Sequence, residues 1–463
     1  MSDRIHVSVE ELRLRNFRAF ANARLTLSDL TFLVGRNGAG KSSILEAVEL
    51  MREAVTDNLE NALDRRGGLS KICRVDYQQS GPRALGVAVV LRLELSAGRS
   101  TRAIYGFEID PQDAQGGTGA GYEDGSGGGS GDGSGFGYGD GSGGGTGDGS
   151  GFGGGAGSGA GFGDGTGHGG GLGQGDTRGG WSYLVRECLR LHPEGASYFE
   201  RDGDDFKAAQ KTGVSPPPGN LVLPLIARSD SVWEAVYDAV RRMRVYDLSP
   251  GAMETSAKIG QGTNLEKTGA NAGDALKAIE GTKDHQWIAR HLAALTPGIS
   301  GVRTEVLLGR RMLVFTQTQH GVSHDYDASQ VSQGTLRGLG VLLALRQQPV
   351  PSLLLVDEVE NSVHPSALGV LLDAAEASKD RARIVFTTHS PEVLDHTAVS
   401  GERVRVVDWR EGASSVFRLN TETAGAVSEI ETVGSMLRSN ALWPDDVFDT
   451  WTGDIFNLGE ART

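Results

Sequence analysis

The segment "TFLVGRNGAGKSSILEAVELM" (Thr31–Met51) restricts the fold more than any other stretch of the chain. An apolar β-type run meets a glycine-spaced loop, "GRNGAGKS" (Gly35–Ser42), which opens directly into a helical pattern. Gly-x-x-x-x-Gly-Lys-Ser between a strand and a helix is the setting in which this loop cradles phosphate. The glycines allow successive backbone N–H groups to wrap an anion, and the helix N-terminus adds a positive dipole end. Gly35, Asn37, Gly38, Gly40, Lys41, Ser42 and Ser43 are therefore the candidate phosphate-binding residues. Lys41 is placed to reach the β and γ oxygens, and the Ser42 hydroxyl to ligate Mg²⁺.

Three later segments extend this reading. "SLLLVDE" (Ser352–Glu358) is an apolar run ending in two carboxylates, which suits a buried strand with acids at its C-terminal mouth. An acid pair at a strand end also serves as a helix cap, but beside a phosphate loop Asp357 is expected to hold Mg²⁺ and Glu358 to orient and deprotonate a water. "IVFTTHS" (Ile384–Ser390) sets His389 just beyond another strand, near the terminal phosphate if the strands are neighbours. "DASQVSQGTLRGLG" (Asp327–Gly340) carries a small hydroxyl, a glycine and a helix start with no nucleotide motif of its own.

The rest of the chain reads as strands and helices in alternation, the pattern of an α/β core with a largely parallel sheet. The N-terminus alternates with period 2 like a β-hairpin, and Leu85–Leu95, Thr101–Asp110 and Trp181–Leu191 follow as further strands. Helical patterns run over Ser229–Leu248 and Lys283–Gly298; the acids of "HDYDAS" and Gln330 read as loop polarity. Between Gly116 and Gly180 lie 36 of the 69 glycines, with "GDGSG" beginning at 131, 139 and 147 and "GDGTG" at 163. That composition offers too little apolar surface to offset ordering entropy, and points to a disordered insertion at a hairpin tip. Calcium-binding Asp/Gly repeats have a nine-residue period, unlike this one. Outside the tract roughly 400 residues remain, enough for a sizeable core.

The net charge is −14, and the tract, with seven acids and one arginine, carries much of it. The remainder has no overall field that would attract nucleic acid. "LRLRNFR" (Leu12–Arg18) and "RRMR" (Arg241–Arg244) read as charged surface. Cys73 and Cys188 are far apart and form no Cys-x-x-Cys, so free thiols in a reducing compartment are expected. No apolar signal core and no run of 18 apolar residues occurs, so the expected location is cytoplasmic, without a membrane partner.

"LRLRNFRAF", "GRNGAGKS", "SQGTLRGLGVLL", "DEVENSVHP" and "TTHSPEVLD", in that order and spacing, resemble the ATP-binding-cassette class of P-loop ATPases. Within it they are similar to the RecF/SMC/OLD-like branch of AAA family ATPases, and "NLEKTGANAGDALKAI" (Asn264–Ile279) resembles the segment between its lobes. The resemblance implies an ATPase head with a mostly parallel core sheet, an antiparallel β subdomain and a helical lobe. Its expected parts are an N-terminal lobe with the phosphate loop (1–115), the glycine-rich insertion (116–180) and the remaining β subdomain and helical lobe (181–300). A C-terminal lobe with signature, acid pair and His389 (301–410) and a final segment (411–463) complete it. The cofactors implied are ATP and Mg²⁺.

In this class two heads meet head to tail, and the signature loop of one caps the γ-phosphate held by the other. Ser332 and Gly334 match the Ser-x-Gly of that signature, so they count as nucleotide-binding residues in the partner's site. Gln333 stands where an acid or glycine is common, and Val359 where Pro usually follows the acid pair. Neither change removes a reacting group. No Q-loop glutamine is assigned; Gln78 and Gln79 are the nearest candidates. Sustained heptads are missing, and the stretch after His389 is shorter than the nuclease domain of full OLD proteins. The function implied is an ATP-hydrolysing switch that dimerises on ATP and controls a separately encoded effector, a nuclease or toxin, in anti-phage defence or DNA transactions. A RecF-like clamp that binds DNA during repair, and an ATP-bound scaffold with negligible turnover, are the alternatives.

Overall fold

The computed structural model describes residues 5–74, 83–95, 99–112, 182–192, 198–215, 219–255, 257–260, 262–410, 412–419, 432–439, 442 and 454–458. The N-terminal alternation folds as the antiparallel pair β1 (His6–Phe17) and β2 (Phe20–Thr26), with Phe17 opposite Phe20. Next comes β3 (Leu30–Val34), buried at every residue, which delivers the chain to the phosphate loop and helix α1 (Lys41–Thr56). On the other side of β1 an antiparallel run is built from β4 (Leu85–Glu94), β5 (Ser100–Gln112), β6 (Ser182–His192), β7 (Phe199–Asp202) and β8 (Asp205–Ala208).

Further along are β9 (Arg244–Tyr246), β10 (Ala257–Lys258), β11 (Ile299–Leu307), β12 (Arg310–Gln319) and β13 (Val322–Asp327). The chain then supplies β14 (Leu353–Val356), β15 (Arg383–Thr388), β16 (Val404–Arg410) and β17 (Ala413–Arg418). Thirteen strands form one sheet in the order β8-β7-β6-β5-β4-β1-β2-β17-β16-β3-β15-β14-β9, and β10 to β13 form a second, four-stranded sheet. Parallel pairing is concentrated in β16-β3-β15-β14-β9. The antiparallel meander continues the same sheet.

Period-2 alternation decides what each face of the parallel strands packs against. Leu33, Leu355 and Val385 join α1 in one core; Phe32, Val34, Leu354, Val356, Ile384 and Phe386 join the helix Gln333–Arg346 in the other. Both faces are covered, which is why these strands read as unbroken apolar runs.

Two expectations need correction. The helical pattern over Ser229–Leu248 stops early: the helix is Ser231–Arg241, capped by Asp230, and Arg244–Tyr246 is strand β9. Pairing with β14 overrides local helix propensity there. "HDYDAS" is not loop polarity, since His324 to Asp327 belong to β13, where Asp325 meets Arg303 and Thr316. Asp327 and Gln330 form a reciprocal capping box. The unassigned C-terminal segment contributes β17, a helix Val433–Arg438, and Ile455 and Phe456 packed on Ala88, Val90 and Ile104.

The glycine-rich tract and its proposed disorder lie outside the described residues. Its flanks do not: Gln112 faces Ser182 across the β5–β6 pair, so the chain leaves and re-enters at one point. Loop-closure cost changes by only about 0.6 kcal/mol per doubling of length. Deleting 116–180 is accordingly expected to leave the melting temperature and ATP turnover nearly unchanged. A collapse of either, measured by calorimetry and phosphate release, would assign the tract a packing role.

Candidate functional site

Gly35 follows β3, and a Cβ there would collide with the carbonyl of Val407 on β16. Gly38 and Gly40 hold φ of 80° and 110°, backbone that L side chains rarely adopt. A Cβ on Gly40 would also lie 2.9 Å from Ser414 Oγ and 3.1 Å from the Phe20 ring. The resulting turn brings the chain into α1 with no side-chain cap and no acid in the first turn. An uncapped, positive helix end of this kind suits an anion. Asn37, Gly38 and Ser42 are exposed, Ser43 half-buried, and Lys41 buried. The Lys41 ammonium donates to the carbonyls of Gly35 at 2.6 Å and Arg36 at 3.2 Å. Burial lowers its pKa, and Glu358, Asp357 and Glu360 oppose that shift.

Sheet adjacency assembles the remaining groups. β15 lies between β3 and β14, with Thr388 opposite Val34 and Val356 opposite Phe386. Rungs then join the two strand-end loops. The Thr387 hydroxyl donates to Asp357 Oδ1 at 2.5 Å and accepts the Glu358 N–H at 2.7 Å. Thr388 Oγ1 donates to Glu360 Oε1 at 2.9 Å, and the His389 N–H donates to the same oxygen at 2.9 Å. Glu358 has φ of 43°, in the left-handed region. The structure thus gathers Lys41, Asp357, Glu358 and His389 at the C-terminal ends of neighbouring parallel strands.

Ser332 and Gly334 occupy a different place. Ser332 caps the helix Gln333–Arg346: its Oγ accepts the Thr335 N–H at 3.2 Å and lies 2.8 Å from Thr335 Oγ1. Ser332 and Gln333 face solvent. Gly334 has a reason to be glycine within its own chain, because a Cβ would sit 2.8 Å from the Ser362 carbonyl in the turn after the acid pair. That turn is further tied to the helix by Arg337, whose guanidinium donates to the carbonyls of Asp357 and Glu358, both at 2.7 Å, and of Leu248.

Sequence reasoning missed four contributors: Thr387, Glu360, Arg337 and Asp247. Asp247 directly follows Tyr246, which is opposite Val356, so two neighbouring parallel strands both end in an aspartate. Asp247 lines a cavity of about 480 Å³ together with Ser42, Glu46, Lys267 and Asp357. The shared form of "RVYD" and "LLLVD" was the available signal. Gln78 and Gln79 lie outside the described residues. Among the described residues no group of three or more His, Cys, Asp or Glu could enclose a metal by itself. A hydroxyl and carboxylates at the edge of a phosphate cradle still fit Mg²⁺, which keeps several waters and takes further oxygens from phosphates.

A family model described as "AAA ATPase domain" matches residues 8–77, and one described as "AAA domain, putative AbiEii toxin, Type IV TA system" matches 228–395. The "DNA replication and repair protein RecF" of Nocardioides sp. is 34% identical over 98 residues, covering 20% of this chain and 22% of that protein. The chain therefore matches only about a fifth of that curated relative. Two solved SMC heads also align. One, bound to the C-winged helix domain of ScpA, has a TM-score of 0.48 at 10% identity and covers 90% of this chain and 99% of that one. The other, from Thermotoga maritima, has a TM-score of 0.38 at 12% identity and covers 89% and 100%. One family match takes in the phosphate loop and the other the signature, acid pair and His389, so the chain is similar to AAA ATPase domains over both stretches that carry the site.

Proposed function

We propose that the protein is an ATP-driven switch whose heads pair head to tail on ATP, hydrolyse it, and thereby control a separate effector protein. The observation that carries this reading is the separation of the site into two parts. Lys41, Asp357, Glu358 and His389 stand together, whereas the helix beginning at Ser332 turns an exposed N-terminus to solvent. A second copy could bring that positive end to the open side of the phosphate cradle.

In this mechanism the loop N–H groups and Lys41 bind the β and γ phosphates of the substrate. The Ser42 hydroxyl and the Asp357 carboxylate would hold Mg²⁺, which when bound neutralises phosphate charge. Glu358 accepts a proton from the attacking water, and His389 orients the terminal phosphate. Thr387 ties the Asp357 carboxylate and the Glu358 backbone N–H together through one hydroxyl. Pre-set groups of this kind lower the reorganisation needed in the transition state. The description of one matching family, "AAA domain, putative AbiEii toxin, Type IV TA system", supports a toxin-linked setting.

The test is the solution mass of Glu358→Gln with and without ATP and Mg²⁺, then with Ser332→Arg added. The expected result is a dimer that needs ATP and disappears with the arginine. A mass indifferent to both would replace the shared-site reading by an ATP-bound scaffold. The RecF relative supports a second reading, a DNA clamp. It predicts ATP-dependent duplex binding that weakens steeply with salt.

A further inference from the structure

One carboxylate outside the predicted set organises the His389 loop. Glu360 Oε1 accepts the Thr388 hydroxyl and the His389 N–H, and lies 3.2 Å from His389 Nδ1. Glu358 Oε1 approaches the same ring nitrogen at 3.8 Å. The three side chains differ in freedom: Glu360 is 11% exposed, Glu358 38% and His389 49%. A half-exposed imidazole can sample several rotamers, and the less exposed, doubly anchored Glu360 is the nearer of the two carboxylates to its Nδ1.

Glu360 is a costly choice for a loop residue with only a structural duty. Its Oε2 is buried without a hydrogen-bond partner, so the hydrogen bonds of the carboxylate are all made through the oxygen facing the His389 loop, while its charge also acts on Lys41 and Arg337. A buried, half-satisfied carboxylate is unfavourable unless it performs a task. Threonine or asparagine could accept from Thr388 and His389 N–H at lower desolvation cost.

We infer that Glu360 is the positioning residue of His389, holding the ring by an Nδ1–H donated to its carboxylate and leaving Nε2 as the free edge toward the terminal phosphate. The inference rests on the reading in which His389 serves the γ-phosphate. A carboxylate on one imidazole nitrogen fixes the tautomer and ring plane, so the other nitrogen meets its target in one orientation. Glu358 stays free of this duty and remains available to the water.

The experiment is a double-mutant cycle on steady-state turnover and nucleotide affinity, with Glu360→Gln, His389→Ala and the pair. Glutamine keeps an acceptor for Thr388 and the His389 N–H while removing the charge. Glu360→Gln is expected to lower kcat about tenfold with ATP affinity held within about twofold, and to have no added effect on His389→Ala. An equal loss in both backgrounds, or a fall in affinity matching that in kcat, would overturn the inference. ¹⁵N-histidine NMR of the unaltered protein, assigned by difference with His389→Ala, reads the tautomer without touching Glu360. Protonation on Nδ1 is expected, and a neutral ring protonated on Nε2 would overturn the tether. Should His389→Ala turn over ATP normally, the phosphate role of His389 fails, while the tautomer still reports whether Glu360 holds the ring.

Discussion

Replacing Arg337 by alanine is expected to destabilise the protein by about 3–5 kcal/mol, the range for removing one partner of a buried charged network. Arg337 is 2% exposed within a helix whose residues from Thr335 to Leu345 are all buried. Its guanidinium bonds three backbone carbonyls, those of Leu248, Asp357 and Glu358. Burial lowers its pKa, and Asp247, Glu358, Glu360 and Asp357 counter that shift. Truncation relieves the buried charge, but it takes the guanidinium donor from the Leu248 and Asp357 carbonyls, leaves the Glu358 carbonyl with only the Asn361 N–H, and opens a cavity at the end of β14. Each orphaned acceptor costs about 1–3 kcal/mol and the cavity adds to it. Urea unfolding measures the loss, and Arg337→Lys should recover part of it through one carbonyl. A change below about 1 kcal/mol would mean that water reaches these groups.

Lys41→Ala should act on binding and leave the fold intact. Its ammonium is held by the carbonyls of Gly35 and Arg36, contacts that keep the side chain in the loop and give way to phosphate oxygens. Charge-assisted hydrogen bonds are worth roughly 1.5–3 kcal/mol each, so ATP affinity should fall by about a hundredfold or more. Stability should barely change, since removing the ammonium also removes the desolvation that lowers its pKa. Titration with a fluorescent ATP analogue, paired with a thermal melt, separates the two effects. A loss below about fivefold would place the binding energy in the loop backbone instead.

The parts of the site that were legible before folding share one property: each is complete within a short run. "GRNGAGKS" holds its own strand exit, glycines and helix entry, so Gly35 to Ser43 could be assigned without a neighbour. "LLLVDE" and "TTHS" likewise carried Asp357, Glu358 and His389 at the mouths of apolar strands. What was illegible depends on two runs meeting. Thr387 has no visible task until β14 and β15 lie side by side, and Glu360 none until the His389 loop closes over it. Asp247 was hidden inside a pattern that reads as helix, because its strand exists only by pairing with β14.

Taken alone, the amino-acid order determined the elements whose causes are local: the phosphate loop, the strand-end acids, the helix start after Ser332 and the N-terminal hairpin. Glycine dihedrals, period-2 alternation and capping act over a few residues, and such forces are written in consecutive letters. The tertiary structure alone decided that the antiparallel meander extends the parallel core as one sheet. It also decided that Arg337 spans from the signature helix to the acid pair, and that Gly334 must make room for the Ser362 carbonyl. Those contacts join residues about 20 to 90 positions apart, and strand pairing and burial select such partners only once the whole core has closed.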